Sequence, residues 1–186
     1  MKDRTSLAQC TNSRPPATDE YFEYYGGYVQ LVKEGDISRL AENQVEEMRT
    51  VFQQVPESHA CVLHSPYTWT LKQVCGHMID TERIFSDRLH RFAAADFQPL
   101  PGMDQDIYVA QQDFETPSLK SLVDEMLFCR QANVLLLRRL KREAWDHRGV
   151  ASDRSVTVRA LAYMLVGHVS HHLNIIQKRL LQIQAT

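Results

Sequence analysis

The chain has 186 residues, 44% of them hydrophobic, and 21 basic against 23 acidic side chains give a formal charge of −2. That length and apolar content suffice for one soluble domain with a full core, and the balanced charge, with no like-signed block, excludes a nucleic-acid footprint and a basic membrane-surface helix. No apolar run reaches the roughly 20 residues that span a bilayer and the polar N-terminus lacks a signal-peptide core, so a cytoplasmic protein without a nucleic-acid or membrane partner is expected.

Residues 1–20 are polar, include Asn12-Ser13-Arg14-Pro15-Pro16 and show no periodicity, which predicts a flexible tail ahead of one domain over 21–186. Tyr21 to Val32 is rich in tyrosine, and packing on the edge of a helical assembly is favoured over covering a cleft. Gly26-Gly27 and Gly35-Asp36 punctuate this stretch before a helix capped by Ser38, which carries Leu40, Met48, Val51, Phe52 and Val55 inward and stops before Pro56. His59 to Thr68 reads as a loop. Thr70 then caps a long helix to about Ala94, with an apolar stripe of Leu71, Val74, Cys75, Met78, Phe85, Leu89 and Phe92. Glu82 lies on that stripe and His77 at its edge.

From Asp96 to Thr116 the prolines, Gly102 and Asp104-Gln105-Asp106 predict a loop holding a short helix around Ile107 to Gln111, and a loop of this length is more often functional than idle. Thr116 as cap and Pro117 in the first turn open a third helix to about Ala144. Its stripe, Leu119, Leu122, Val123, Met126, Cys129, Leu137 and Leu140, is interrupted by Arg130 and Asn133. Asp146 to Asp153 links to a last helix, capped by Ser155, in which Val158, Leu161, Ala162, Leu165, Val169, Ile176 and Leu180 fall on one side. No repeat and no useful strand-like alternation appears, so the expected fold is all-α, a four-helix bundle with long connecting loops. Cys10, Cys61, Cys75 and Cys129 form no C-x-x-C pair, which fits reduced thiols rather than a disulfide framework or a cysteine zinc site.

His168 and His172 fall inside the last stripe. Four residues apart, their imidazoles point to one place in the interior, where an unpartnered polar group costs on the order of 1 to 3 kcal/mol. A pair of core histidines bonded to carbonyls or waters is the plain alternative, but two at this spacing favour a metal ion. His77 is the best-placed third ligand in the other helices. Valine stands where a zincin helix has its glutamate, and Val74 and Leu165 stand where di-iron bundles have theirs, so the site is mononuclear and poor in carboxylate. Three neutral imidazoles leave a position for water or a thiol. Glu82 and Arg130, each costly to bury alone, are expected to pair across the interior.

Trp69-Thr70, His77 through Arg83, Leu100 through Asp106, Arg130 and Gly167 through His172, in that order, resemble the DinB-like superfamily, which includes proteins similar to bacillithiol transferases and the damage-inducible DinB proteins. The resemblance spans about Tyr21 to Leu181. It implies a bundle of the DinB/YfiT-like type holding one divalent ion through His77, His168 and His172. Zinc or nickel is the leading metal, with iron or manganese as alternatives, and a low-molecular-weight thiol is a candidate cosubstrate. His64-Ser65-Pro66-Tyr67 departs from the tyrosine, proline, glycine, lysine that members often carry there. Asp80, Glu82, Arg130, Asn133, His171 and Trp69 are candidates for the surrounding shell or pocket, with His171 turned roughly 60° away from His168 on the helix. The activity implied is thiol transfer to small electrophiles, with a metal-dependent hydrolase or a non-catalytic stress-response module as alternatives, and a homodimer as one assembly. The metal's open position is expected to face a pocket walled by the Ser65 to Trp69 and Pro101 to Asp106 loops.

Overall fold

Four long helices carry the core of the computed structural model: α1 (Ile37–Phe52), α2 (Leu71–Ala93), α3 (Leu119–Arg138) and α4 (Val158–Gln184). Residues 14–184 are described; the first thirteen residues of the expected tail, Cys10 among them, lie outside the described residues. Helices α3 and α4 each pack against both α1 and α2, which puts α1 across the bundle from α2 and α3 across from α4.

The residues that start these helices are local hydrogen-bond acceptors. Thr70 begins α2 as its sequence predicts: its hydroxyl accepts from the Gln73 N–H at 3.2 Å, and the Gln73 side chain accepts from the Thr70 N–H at 2.9 Å. The other three caps lie two positions from the expected ones. Asp36 rather than Ser38 caps α1, Ser118 rather than Thr116 caps α3, and Thr157 rather than Ser155 accepts from the Ala160 N–H at 3.1 Å at the start of α4. Each site offers several short polar side chains, and tertiary packing decides which stands at the turn. Helix α3 ends at Arg138, short of Ala144, because the chain continues as a 3-10 turn, Arg142–Asp146, that buries Ala144 and Trp145 in helix-like phase. The short helix expected near Ile107 is present as Gln105–Gln111.

One element escaped the sequence pattern. Strands β1 (Arg148–Ala151) and β2 (Arg154–Thr157) form an antiparallel hairpin, with Gly149 opposite Val156. Its turn residues, Ser152 and Asp153, have φ of 53° and 59°. Both central residues of this tight turn are thus left-handed without the glycine that usually announces it. The hairpin, α1, α2 and the short helix Gly26–Gln30 all lie against α4, whose residues Val158 through Val169 are all buried. A helix enclosed on all sides has no solvent stripe over that length, which is why its apolar face understated its burial. Before it, Thr18–Glu20 forms a 3-10 turn whose buried Glu20 accepts from the Thr157 hydroxyl at 2.8 Å and pairs with Arg14 at 2.9 Å. Among the described residues no helix is long and apolar enough to cross a membrane, and Cys61, Cys75 and Cys129 are free thiols.

Candidate metal centre and its cleft

The two long central helices bring three imidazoles to one point. His168 and His172, one turn apart on α4, meet His77 from α2: the His168 Nε2 lies 3.0 Å from the Nε2 of His77 and 3.0 Å from that of His172. The three rings are 3%, 4% and 7% exposed for His77, His168 and His172. Burial holds their pKa values down, that of His77 to about 4 and the other two well below the usual histidine range, with the neighbouring imidazoles adding to the effect. At neutral pH all three are uncharged.

Neutral imidazole has one donor nitrogen and one acceptor nitrogen. With three Nε2 atoms facing one another, at most one of the two short contacts can be a good hydrogen bond, and the other must share a proton, share a lone pair or oppose two lone pairs. The outer nitrogens offer no relief, since the buried Nδ1 atoms of His77 and His172 have no hydrogen-bond partner. A cation at the common focus turns the repulsion of three lone pairs into attraction, and the donor atoms lie within 4.8 Å of one another, so this trio fits a metal ion. Trp69 packs on His77 with ring centres 5.0 Å apart, and Tyr28 and Phe85 pack on His168 at 5.5 and 6.3 Å. These aromatic walls limit water at the imidazoles.

The expected ion pair lies beside the trio. Arg130 donates to Glu82 at 2.8 Å and to the Leu165 carbonyl at 3.1 Å, one turn before His168, while Asn133 donates to the other Glu82 oxygen at 2.9 Å. Both charges are almost wholly buried; burial raises the Glu82 pKa against the opposing pull of Arg130 and Asn133. Asp80 accepts a 2.7 Å bond from the Gln112 side chain, and burial raises its pKa. His171 is half-buried, its ring 5.3 Å from Tyr28 and 5.0 Å from that of His172. It borders the trio without joining it.

A cleft of about 180 Å³ opens on His77 and His168. Its walls are Tyr24, Tyr25 and Tyr28 on one side, Thr81, Ile84, Phe85 and Arg88 along α2, and Met103, Gln105 and Ser152 opposite. The Pro101 to Asp106 loop is therefore a wall, as expected. From the Ser65 to Trp69 loop only Trp69 reaches the trio; His64 and Tyr67 turn instead to the buried Arg179, which lies 3.1 Å from His64 Nδ1 and 4.8 Å over the Tyr67 ring. The tyrosine-rich stretch is a cleft wall rather than edge packing. It is held there by close approach to α4 at Gly167, where an added Cβ would stand 2.0 Å from the Tyr28 carbonyl oxygen. Thr81 and Arg88 were not singled out by the sequence, although they lie one and three turns beyond His77 on the same face of α2, a phase that offered the signal.

The sequence pattern of the DinB superfamily matches residues 40–176. The chain belongs to the DinB superfamily. Among solved structures, this DinB-superfamily protein is similar to YfiT from Bacillus subtilis, described as a probable metal-dependent hydrolase with an unusual four-helix bundle topology. That match has a TM-score of 0.68 and 14% identity, and covers 97% of this chain and 99% of that one. The mycothiol-dependent maleylpyruvate isomerase is also similar, with a TM-score of 0.59 and 14% identity over 75% of this chain and 57% of that chain. At such identities the likeness establishes a shared fold. No curated protein matches the chain in sequence.

Proposed function

We propose that this DinB-superfamily protein is a metal-dependent S-transferase that joins a small thiol to a small electrophile in the tyrosine-lined cleft. The observation that carries the reading is the convergence of three neutral imidazoles with no free carboxylate among them. His77, His168 and His172 would hold one divalent ion, zinc or nickel with iron or manganese as alternatives. Bound there, such an ion supplies a Lewis acid that lowers the pKa of a thiol at its remaining position. The protein's part is to keep the imidazoles uncharged by burial, to exclude water with Trp69, Tyr28 and Phe85, and to admit reactants past Met103 and the tyrosines. In the transfer the sulfur bonds to the electrophilic carbon, the leaving group departs with its bonding pair, and the thiol proton goes to solvent.

Hydrolysis would need a base to take a proton from water. Asp80 is engaged by Gln112 and Glu82 by Arg130 and Asn133, so neither acid is free beside the trio. Hydrolysis nevertheless stands as the second reading, because YfiT, which has this fold, is described as a probable metal-dependent hydrolase. Metal-loaded protein is therefore to be assayed against a panel of electrophiles with several cellular thiols and with water alone. Thiol-dependent product supports transfer, product with water alone favours hydrolysis, and absence of both leaves a metal-stabilised binding module. Elemental analysis should find near-stoichiometric metal in the native chain and little in a His168→Ala, His172→Ala double variant. Full occupancy in that variant would remove the site.

A further inference from the structure

We infer that the cleft selects ligands carrying a carboxylate, with Arg88 as its specificity-determining cation at the end away from the histidines. Arg88 is 6% exposed, yet no carboxylate of the described residues lies within ion-pair distance of it. Its Nη2 donates to the Pro101 carbonyl at 2.9 Å and the Ser152 hydroxyl at 3.0 Å. Both are neutral acceptors, and Ser152 belongs to the wall of the cleft. Compare Arg130, fully buried, which has Glu82. A buried guanidinium without an ion-pair partner is costly even with Asp87 acting on it from the neighbouring position, and an anionic ligand supplies the direct contact that the chain does not.

A second observation points into the same space. Thr81 is 6% exposed and its hydroxyl has no hydrogen-bond partner, although it lines the cleft between His77 and Arg88, one turn from the histidine. A threonine in a helix ordinarily returns its hydroxyl to the preceding turn, so an unpaired one is available to a ligand. Along α2 the three residues stand at positions 77, 81 and 88. At about 1.5 Å of rise per residue, the axial separation from imidazole to guanidinium is roughly 16 Å between backbones, shortened because helical side chains lean toward the N-terminus. The occupant is therefore a slender organic acid with its reacting end at the histidines and a polar group nearer that end than the carboxylate. The volume of about 180 Å³ limits it to a small molecule.

This inference names the substrate class of the cleft proposed above, and its test does not depend on the thiol chemistry. Hexanoate and hexanamide, equal in shape and different in charge, are titrated into the metal-free full chain by NMR. Hexanoate is expected to bind at least tenfold more tightly and to shift the Arg88 side-chain resonances. The preference should vanish in Arg88→Gln and largely return in Arg88→Lys. Equal binding of the two probes to the native chain overturns the inference whatever the variants do, so it stays testable if Arg88→Gln fails to fold. Persistence of the preference in a folded Arg88→Gln overturns it too. If hexanoate binds as expected but no thiol-dependent product forms, the transferase reading falls while the carboxylate site stands.

Discussion

Two buried polar clusters share the middle of the bundle and solve the problem of burial in opposite ways. Glu82, Arg130 and Asn133 are complementary in charge, so both carboxylate oxygens find donors across α2 and α3, although Arg130 Nε and Nη1 and Asn133 Oδ1 have no partner among the described residues. His77, His168 and His172 are alike, uncharged and aimed at one another, so they cannot all be satisfied among themselves. The first cluster finds its counter-charge within the chain; the second has none, and its outer nitrogens on His77 and His172 have no partner among the described residues. Replacing the second arrangement with apolar side chains would cost less than maintaining it, which is the ground for proposing a bound ion there.

The largest effect should come from breaking the self-contained cluster. Arg130→Met leaves the Glu82 carboxylate buried without its cation, and Glu82→Gln leaves the guanidinium so; each is expected to lose about 3 to 5 kcal/mol in urea unfolding. The double variant should lose clearly less than the sum of the two. Strict additivity would mean that the 2.8 Å contact contributes no coupling. Metal content measured on the same proteins reveals whether the Arg130 bond to the Leu165 carbonyl helps to orient the turn that bears His168.

Acid should break the other cluster. The folded-state pKa values of the three histidines lie below that of an unfolded histidine, so as pH falls the unfolded chain takes up protons first and the folded state loses stability. By pH 5.5 the loss in metal-free protein is about 1.4 kcal/mol per histidine, or about 4 kcal/mol for the trio, and above pH 7.5 the dependence vanishes. Denaturant midpoints from pH 7.5 down to 5 measure it. A His77→Phe, His168→Leu, His172→Leu triple variant should flatten the profile; an unchanged slope would place the titrating groups elsewhere.

How much of this was legible follows the same division. The four helices could be read because their stripes repeat over many turns, and the polar interruptions of those stripes, Glu82, Arg130, Asn133, His168 and His172, became the two clusters. The β1–β2 hairpin was not legible: its strands are only four residues long, and the Ser152-Asp153 turn lacks glycine. The caps were misplaced by two residues because Asp36 and Ser38, Thr116 and Ser118, and Ser155 and Thr157 are locally equivalent acceptors. Arg88 was overlooked for a different reason. A charge on a helix normally signals a solvated face, and only the approach of Pro101 and Ser152 from distant segments encloses this one.

The smallest expected effect concerns the wall between the histidines and solvent. Gly167 lets the helix Gly26–Gln30 lie directly on α4, and a methyl group there would meet the Tyr28 carbonyl at 2.0 Å, far inside contact distance. Backbone cannot yield as a flexible side chain can, so Gly167→Ala must displace the short helix rather than α4, which is packed on every side. The cost should be about 1 to 3 kcal/mol if the displacement is local. Because Tyr28 packs on both His168 and His171, the same shift opens the cleft without touching an imidazole. Metal stoichiometry should then stay near native while amide exchange over residues 24–30 rises by at least tenfold. Lost metal with unchanged exchange would mean that α4 itself had moved, and that the two histidines one turn apart depend on Gly167 more directly than the tyrosine wall does.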